Sequence, residues 1–185
     1  MVSPLCLLLA LVLLYHRPAS SLDCDLPPRH GGPETFILVN QMGRLSLLSC
    51  LEFRKDFQFP QTLVDGSRLE KTQARVVVQE MLQEVFSLFS TNDSFEAWEE
   101  TVLDKFLIEL YQQLEDLEKC LEKEWKVGLS ALGSEDTTLA VKRYFQGIRL
   151  YLKEKEYSSC AWEIVRVEIR RCLFSINKLI RKPRK

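Results

Sequence analysis

Residues 160–171, which read Cys-Ala-Trp-Glu-Ile-Val-Arg-Val-Glu-Ile-Arg-Arg, decide the fold of this chain. From this segment onward, apolar side chains recur every three or four residues, which is the period of an α-helix with one buried side. The stripe consists of Trp162, Val165, Ile169, Leu173, Ile176 and Ile180. Arginine occupies much of the remaining surface, so the segment predicts an amphipathic helix packed against a core.

Four more apolar stripes with the same period precede this helix. They consist of Leu38, Met42, Leu45 and Leu48; Val78, Leu82, Val85 and Phe89; Leu103, Leu107, Leu110, Leu114, Leu117 and Leu121; and Val141, Phe145, Ile148 and Leu152. The alternation that is typical of β-strands does not compete with them anywhere. The sequence therefore predicts an all-α fold with five helices.

Turn-forming residues fall between the stripes. Phe59-Pro60 and residues 65–67 mark a long first connection, residues 91–94 a short second one with Ser94 as the expected N-cap, and residues 128–134 a third. A first connection that crosses the length of a bundle joins parallel neighbours in up-up-down-down topologies. We therefore expect a five-helix up-up-down-down bundle with a long first crossover loop.

The chain begins with an apolar run at residues 5–15, followed by small and helix-breaking residues at 18–21. This pattern predicts a secretory signal peptide, because a membrane-spanning helix needs about 20 apolar residues. Cleavage after residue 21 or residue 23 would assign residues 1–23 to the signal. One helical domain, residues 24–185, is then expected outside the cell.

Charge is unevenly distributed, although the net charge is only −1. Residues 93–124 hold eleven acidic and three basic side chains, whereas residues 166–185 hold eight basic and one acidic. Solvated helix faces are the plainer interpretation of both runs. The sharper interpretation is that opposite faces meet different partners.

Features of an enzyme or a metalloprotein are weak. His30 is the only histidine after the signal, and it lies in a lead-in rich in proline and glycine. Neighbouring carboxylates such as Glu99 and Glu100 point in different directions on a helix. No glycine-rich phosphate-binding motif occurs, and the cysteine spacings do not suit zinc. We therefore expect no catalytic residue, no cofactor and no metal.

Five cysteines follow the signal and, in a secreted chain, predict disulfides. They are Cys24, Cys50, Cys120, Cys160 and Cys172. On one helix, Cys160 and Cys172 lie roughly 18 Å apart, beyond the ~7 Å limit for a disulfide, so they do not pair with each other. One thiol is left over. The helical apolar position of Cys172 favours an inert, buried thiol, and a disulfide-linked dimer stays open as the alternative.

Two further features are expected at the surface. Asn92-Asp93-Ser94 is an N-glycosylation sequon in a turn, so we expect a glycan on Asn92. The last helix presents apolar and arginine side chains away from its core stripe. This predicted exposed set is Glu163, Val167, Arg170 and Phe174, with Arg166 and Arg171 beside them. Such a mixture suits a protein-binding hot spot, and an arginine-covered surface helix is the plainer alternative.

The chain resembles the type I interferons, and most closely their alpha/omega group, over essentially all of its mature length. The matching segments are 24–27, 86–91, 103–106, 109–114, 143–146, 151–158 and the last-helix motif at 160–171. The resemblance implies a helical cytokine with two disulfides, Cys24–Cys120 and Cys50–Cys160. It also implies a ligand that brings together two receptor chains and thereby triggers antiviral and antiproliferative JAK-STAT signalling, without binding nucleic acid or inserting into membranes.

The resemblance also implies which residues meet each receptor chain. For the high-affinity chain they are Leu51, Arg54, Arg166, Val167, Arg170 and Arg171. For the low-affinity chain they are Phe86, Ser87, Val102, Tyr111 and Lys142. Leu107 stands where some members have tyrosine, Arg170 stands where many have methionine, and Cys172 is an additional cysteine. Receptor affinity is therefore expected to differ from that of other members, and the protein is expected to be mostly monomeric.

A different class of protein fits the same helices. A secreted carrier of lipid or another apolar ligand uses such stripes to line a cavity. Helical periodicity does not separate a packed core from a lined one. The arginine-rich face and the matched motifs favour the cytokine. A secreted enzyme ranks third, because His30 is the only histidine after the signal and the cysteine spacings do not suit a metal site.

Overall fold

A computed structural model describes residues 33–65, 69–126 and 135–181 of the chain. Within these ranges the regular secondary structure is helical and contains no β-strand. None of the described helices is long and apolar enough to cross a membrane. The predicted signal peptide, residues 1–23, lies outside the described residues, as does the predicted third connection at 128–134.

Five helices form the bundle, and shorter ones lie in its connections. The bundle helices are α1 (Pro33–Gln41), α3 (Lys71–Phe89), α5 (Glu100–Lys126), α6 (Glu135–Glu154) and α7 (Ser159–Arg181). The connections contain a 3-10 helix (Leu47–Phe53), α2 (Thr62–Asp65) and α4 (Asn92–Ala97). Helix α3 packs against α5, α6 and α7, and α1 packs against α5 and α7. The predicted five-helix bundle with a long first connection is confirmed.

Aromatic side chains fill the centre of the bundle. Trp162 of α7 is 1% exposed, and its ring centroid lies 5.9 Å from that of Phe89 and 6.0 Å from that of Trp98. Phe89 also meets Phe106 of α5 edge to face at 5.2 Å. Edge-to-face and tilted pairs at these distances are favourable beyond the area they bury. The predicted stripes of α3 and α6 are buried throughout.

The first predicted stripe is longer than the helix that carries it. Helix α1 ends at Gln41, and only Met42 continues its buried face. Leu45 is 41% exposed and Leu48 is 78% exposed, so their predicted core positions are wrong. Both residues lie beyond the end of α1. Leu48 belongs to a separate 3-10 helix, at whose start Ser46 accepts a hydrogen bond from the Leu48 backbone N–H.

The second connection also differs from the prediction. Thr91, not Ser94, is the N-cap, and its hydroxyl accepts a hydrogen bond from the Ser94 N–H at 3.3 Å. The Glu99 carboxylate accepts the backbone N–H groups of Thr101 and Val102 at 3.0 and 2.9 Å, where α5 begins. Hydrogen bonds from Thr101 and Val102 lower the pKa of Glu99. An acidic residue at this helix start is expected, since the N-terminal end of a helix is electropositive.

The disulfide expected between Cys50 and Cys160 is present, with 5.2 Å between the two Cα atoms. It joins the 3-10 helix to the first turn of α7. Cys120 is disulfide-bonded as well. Its expected partner, Cys24, lies outside the described residues. Cys172 is a free thiol with 0% exposure, which confirms its predicted burial.

The Cys172 thiol is expected to be unreactive in the native protein. Burial, and secondly the nearby Glu168, raises the pKa of this thiol, so the nucleophilic thiolate is not formed at neutral pH. Iodoacetamide followed by mass spectrometry is expected to find no label on native protein and one label after unfolding with the disulfides intact. Labelling of the native protein, or a dimer that a reductant separates, would contradict this expectation.

Candidate functional site

The connection from α1 to α3 is attached to the last two helices near its middle. The disulfide fixes Cys50 to Cys160, and three residues further on the Tyr151 hydroxyl donates to the carbonyl of Phe53 at 2.7 Å. Phe57 meets the Tyr151 ring edge to face at 5.0 Å. These contacts hold the segment between Cys50 and Phe57 against the protein while leaving its outer side in solvent.

Arg171 of α7 attaches the far end of the connection. Its guanidinium donates to the Gln61 side-chain oxygen at 3.2 Å and lies 5.3 Å from the centre of the Phe59 ring. Glu168 lies 3.7 Å from the same guanidinium and accepts a 2.7 Å hydrogen bond from the Tyr144 hydroxyl. Burial raises the pKa of Tyr144, so the hydroxyl stays a donor. Arg171 is thus held in one orientation although it is exposed.

Glu163 and Arg166 of α7 attach the start of the connection. One Glu163 oxygen accepts the backbone N–H groups of Arg44 and Leu45 at 2.6 and 3.2 Å. The other oxygen pairs with the Arg166 Nε at 2.8 Å. Arg166 in turn donates to the carbonyl of Val39, in the last turn of α1, at 3.2 Å. A carboxylate and a guanidinium on one helix thereby hold both α1 and the residues that follow it.

The predicted exposed positions of Glu163 and Arg166 are wrong. Glu163 is 1% exposed and Arg166 is 8% exposed, because the start of the connection covers this side of α7. The spacing of three residues between Glu163 and Arg166 was a sequence signal for an ion pair. The contact between Glu163 and the Arg44 backbone could not be predicted from this spacing, since Arg44 lies 119 residues away along the chain.

A groove opens between this connection and α7. Its volume is about 320 Å³. The lining residues are Leu47, Leu51, Arg54, Lys55, Phe57, Ile164, Val167 and Glu168. Leu51 is 50% exposed, and Arg54 is exposed with no ion-pair partner among the described residues. Arg170 is exposed one turn after Val167. We call Leu51, Arg54, Val167, Arg170 and Arg171 the connection face.

The connection face has the composition of a protein-binding surface. Its apolar side chains supply area that loses water on contact, and its arginines supply several donors in a plane. The disulfide and the Tyr151 contact keep Leu51 and Arg54 beside Val167 even when no other protein is bound. Five of the six residues expected at the high-affinity site therefore occupy one accessible region, and Arg166 lies behind it.

The residues expected at the low-affinity site lie on other helices. Phe86 of α3 and Tyr111 of α5 are in contact, with ring centroids 6.5 Å apart, and Tyr111 is 54% exposed. Ser87 is exposed next to Phe86. Val102 is half-buried against the core. Nine residues separate it from Tyr111, which is about 13.5 Å along the helix axis and half a rotation around it. Ideal helix geometry therefore places Val102 apart from the Phe86 and Tyr111 pair.

Lys142 of α6 joins Ser87 along a groove of about 370 Å³ between α3 and α6. Its ammonium lies 3.6 Å from Glu80, and Arg149 lies 2.6 Å from Glu84 and 3.3 Å from the Ser87 hydroxyl. Burial raises the pKa of Glu80, and Lys142 acts in the opposite direction. This groove is polar and charged, whereas the connection face mixes apolar groups with arginine. The two surfaces therefore suit different partners.

Both surfaces have the chemistry of binding. In the ranges 33–65, 69–126 and 135–181, no three of the histidine, cysteine, aspartate and glutamate side chains are grouped so that they could hold a metal ion.

The predicted glycosylation residue, Asn92, is exposed at the start of α4, while Ser94 of the same sequon is buried.

A family model described as the interferon alpha/beta domain matches residues 27–183. Interferon alpha-6 of Homo sapiens is 51% identical over 187 residues, covering 100% of this chain and 99% of the relative. Interferon omega-2 of Equus caballus is 53% identical over 175 residues, covering 94% and 90% respectively. The solved structure of zebrafish interferon 2 superposes with a TM-score of 0.69 over 86% of this chain and 100% of that one. At 23% identity, this likeness establishes the fold.

Proposed function

The chain belongs to the interferon alpha/beta family, and we propose that it is a secreted ligand that brings together the two chains of the type I interferon receptor. As an interferon it is a cytokine and not an enzyme. The proposed consequence of bringing the receptor chains together is JAK-STAT signalling, with antiviral and antiproliferative transcription as its output.

The connection face is proposed to bind the high-affinity receptor chain. The observation that carries this proposal is the groove in which Leu51, Arg54 and Val167 meet. Leu51 offers an exposed apolar group for a pocket on the receptor. Beside it, the Arg54 guanidinium, which has no ion-pair partner in the described part of the chain, offers several donors. Arg170 and Arg171 extend the same region along α7. Arg166 is proposed to contribute from behind the face, by holding the chain that forms it.

The low-affinity receptor chain is proposed to bind the surface formed by α3, α5 and α6. Phe86 and Tyr111 supply its aromatic part, and Ser87 and Lys142 supply its polar part. Val102 is proposed to act at the edge of this surface, because helix geometry places it away from Tyr111. A polar, partly charge-paired surface gains little from each contact, which suits the weaker of two interactions.

A glycan on Asn92 is proposed as well. The side chain is exposed at the start of α4, at one end of the long helix α3. Because Ser94 is buried in the folded protein, transfer of the glycan is expected before α4 packs. A mobility shift on treatment with an amide-cleaving glycosidase, absent in Asn92→Gln, would support occupancy; no shift would refute it.

The function is tested with disulfide-intact protein purified from culture medium. Cells of the encoding species are expected to start interferon-responsive transcription, and antibodies that block the type I receptor are expected to abolish the response. Silence of the cells, or a response that the antibodies do not change, would contradict the proposal. Native mass spectrometry of the same preparation tests the carrier alternative, which requires a bound apolar molecule.

A further inference from the structure

Glu163 and Arg166 form a buried charged pair behind the connection face. Glu163 is 1% exposed, and within the described residues its carboxylate accepts hydrogen bonds from Arg166 and from the backbone of Arg44 and Leu45. Removing a carboxylate from water is expensive, and replacing a buried ion pair by apolar residues is often neutral or stabilising. The pair is therefore better explained by the geometry that it imposes than by the stability that it adds.

That geometry concerns the chain leading into the connection face. Leu45 precedes Leu51 by six residues, and Cys50 between them is tied to Cys160 of the same helix. The segment from Leu45 to Cys50 is thus held at both ends by α7, once by Glu163 and once by the disulfide. Releasing the first end frees the segment to move about the second.

We propose that Glu163 and Arg166 form a positioning pair that sets the receptor-competent arrangement of Leu51 and Arg54 without Glu163 touching the receptor. Two independent observations support this assignment. Glu163 is inaccessible to a partner, and a Cβ atom added to Gly43 would lie 2.9 Å from the Arg166 Nη2, so the guanidinium and the start of the connection fit closely. The inference rests on the proposed function, because it assigns a role within the receptor-binding face.

A positioning role and a direct contact with the receptor predict different changes in the binding rates. If the binding-competent arrangement is only fractionally populated, the apparent affinity falls by that fraction. The association rate then falls, whereas loss of a direct contact mainly raises the dissociation rate. Glu163→Gln keeps the size of the side chain and removes its charge. We expect about a tenfold slower association with the immobilised high-affinity receptor ectodomain and an unchanged dissociation rate.

Backbone amide exchange supplies the second readout. The N–H groups of Arg44 and Leu45 are expected to exchange faster in Glu163→Gln than in the unaltered protein, because a neutral amide oxygen is a weaker acceptor than a carboxylate. Glu122→Gln is the matched control, since Glu122 is exposed on α5 and its replacement changes the net charge equally. The control is expected to leave both the association rate and the two amides unchanged.

A second variant covers the event that Glu163→Gln does not fold. Gly43→Ala keeps both charged side chains and displaces the Arg166 guanidinium, which is the partner of Glu163. It is expected to produce a smaller fall in association rate in the same direction. Faster exchange at Arg44 and Leu45 with an unchanged association rate would overturn the inference alone. Failure of the unaltered protein to bind either receptor chain would instead overturn the proposed function.

Discussion

Arg54→Ala is expected to weaken binding to the high-affinity receptor chain by at least ~2 kcal/mol, which corresponds to about a 30-fold higher Kd. The Arg54 side chain extends from the end of the 3-10 helix into the groove shared with Leu51 and Val167. No described carboxylate competes for its guanidinium. Arg54 therefore gives up no described ion pair when it binds, and its guanidinium offers several donors to one partner. Because a direct contact is removed, the dissociation rate is expected to carry most of the change.

The matched control for Arg54 is Arg143→Ala. Arg143 is exposed on α6 and does not line the groove beside Leu51 and Val167, so its removal tests the effect of losing one positive charge outside that groove. Surface plasmon resonance with the immobilised receptor ectodomain measures both variants. Near-normal affinity of Arg54→Ala, or an equal loss in both variants, would refute the assigned role of Arg54.

Trp162→Ala is expected to lower the free energy of unfolding by about 3–5 kcal/mol. The indole is 1% exposed and contacts the rings of Phe89 and Trp98, so truncation leaves a cavity where α3, α4 and α7 meet. A loss of this size is a large part of the stability of a single domain. Equilibrium unfolding in urea, followed by circular dichroism with the disulfides intact, measures the change.

Two substitutions separate packing from side-chain chemistry at this position. Trp162→Phe keeps an aromatic ring and is expected to cost less, since the indole N–H has no acceptor among the described residues. Trp125→Ala removes the same side chain from a site that is 52% exposed. Its effect is expected to stay within about 0.5 kcal/mol. Equal losses for Trp162→Ala and Trp125→Ala would contradict the packing argument.

The apolar stripes that the sequence predicted best are those that lie wholly within one helix. Leu103, Leu110, Leu117 and Leu121 are buried at the expected spacings. Residues with the helical period lie along one face of the helix, so they turn toward the core together. Leu45 and Leu48 continued a stripe beyond the end of its helix. Periodicity alone does not reveal where a helix stops. Here α1 ends at Gln41, and Leu48 belongs to a separate 3-10 helix that Ser46 caps.

The residues of the connection face could be predicted from the sequence, but the burial of the two residues behind it could not. Leu51 and Arg54 followed from the resemblance, and their exposure is a matter of local chain geometry. The burial of Glu163 and Arg166 depends on Val39 and Arg44, which a reading of α7 by itself does not include. A polar residue on the apparent outer face of a helix is exposed only if no other segment covers it, and that is a property of the tertiary fold.

The contacts that assemble the connection face join residues far apart in the chain. Phe53 is 98 residues from Tyr151, Cys50 is 110 from Cys160, and Arg44 is 119 from Glu163. Contacts between such distant residues form only after the entropy of closing the intervening chain has been overcome. During synthesis, α1 and the connection therefore emerge from the ribosome long before their anchors. The connection face is completed only once α7 has been translated, so a chain that ends before α7 is expected not to present it.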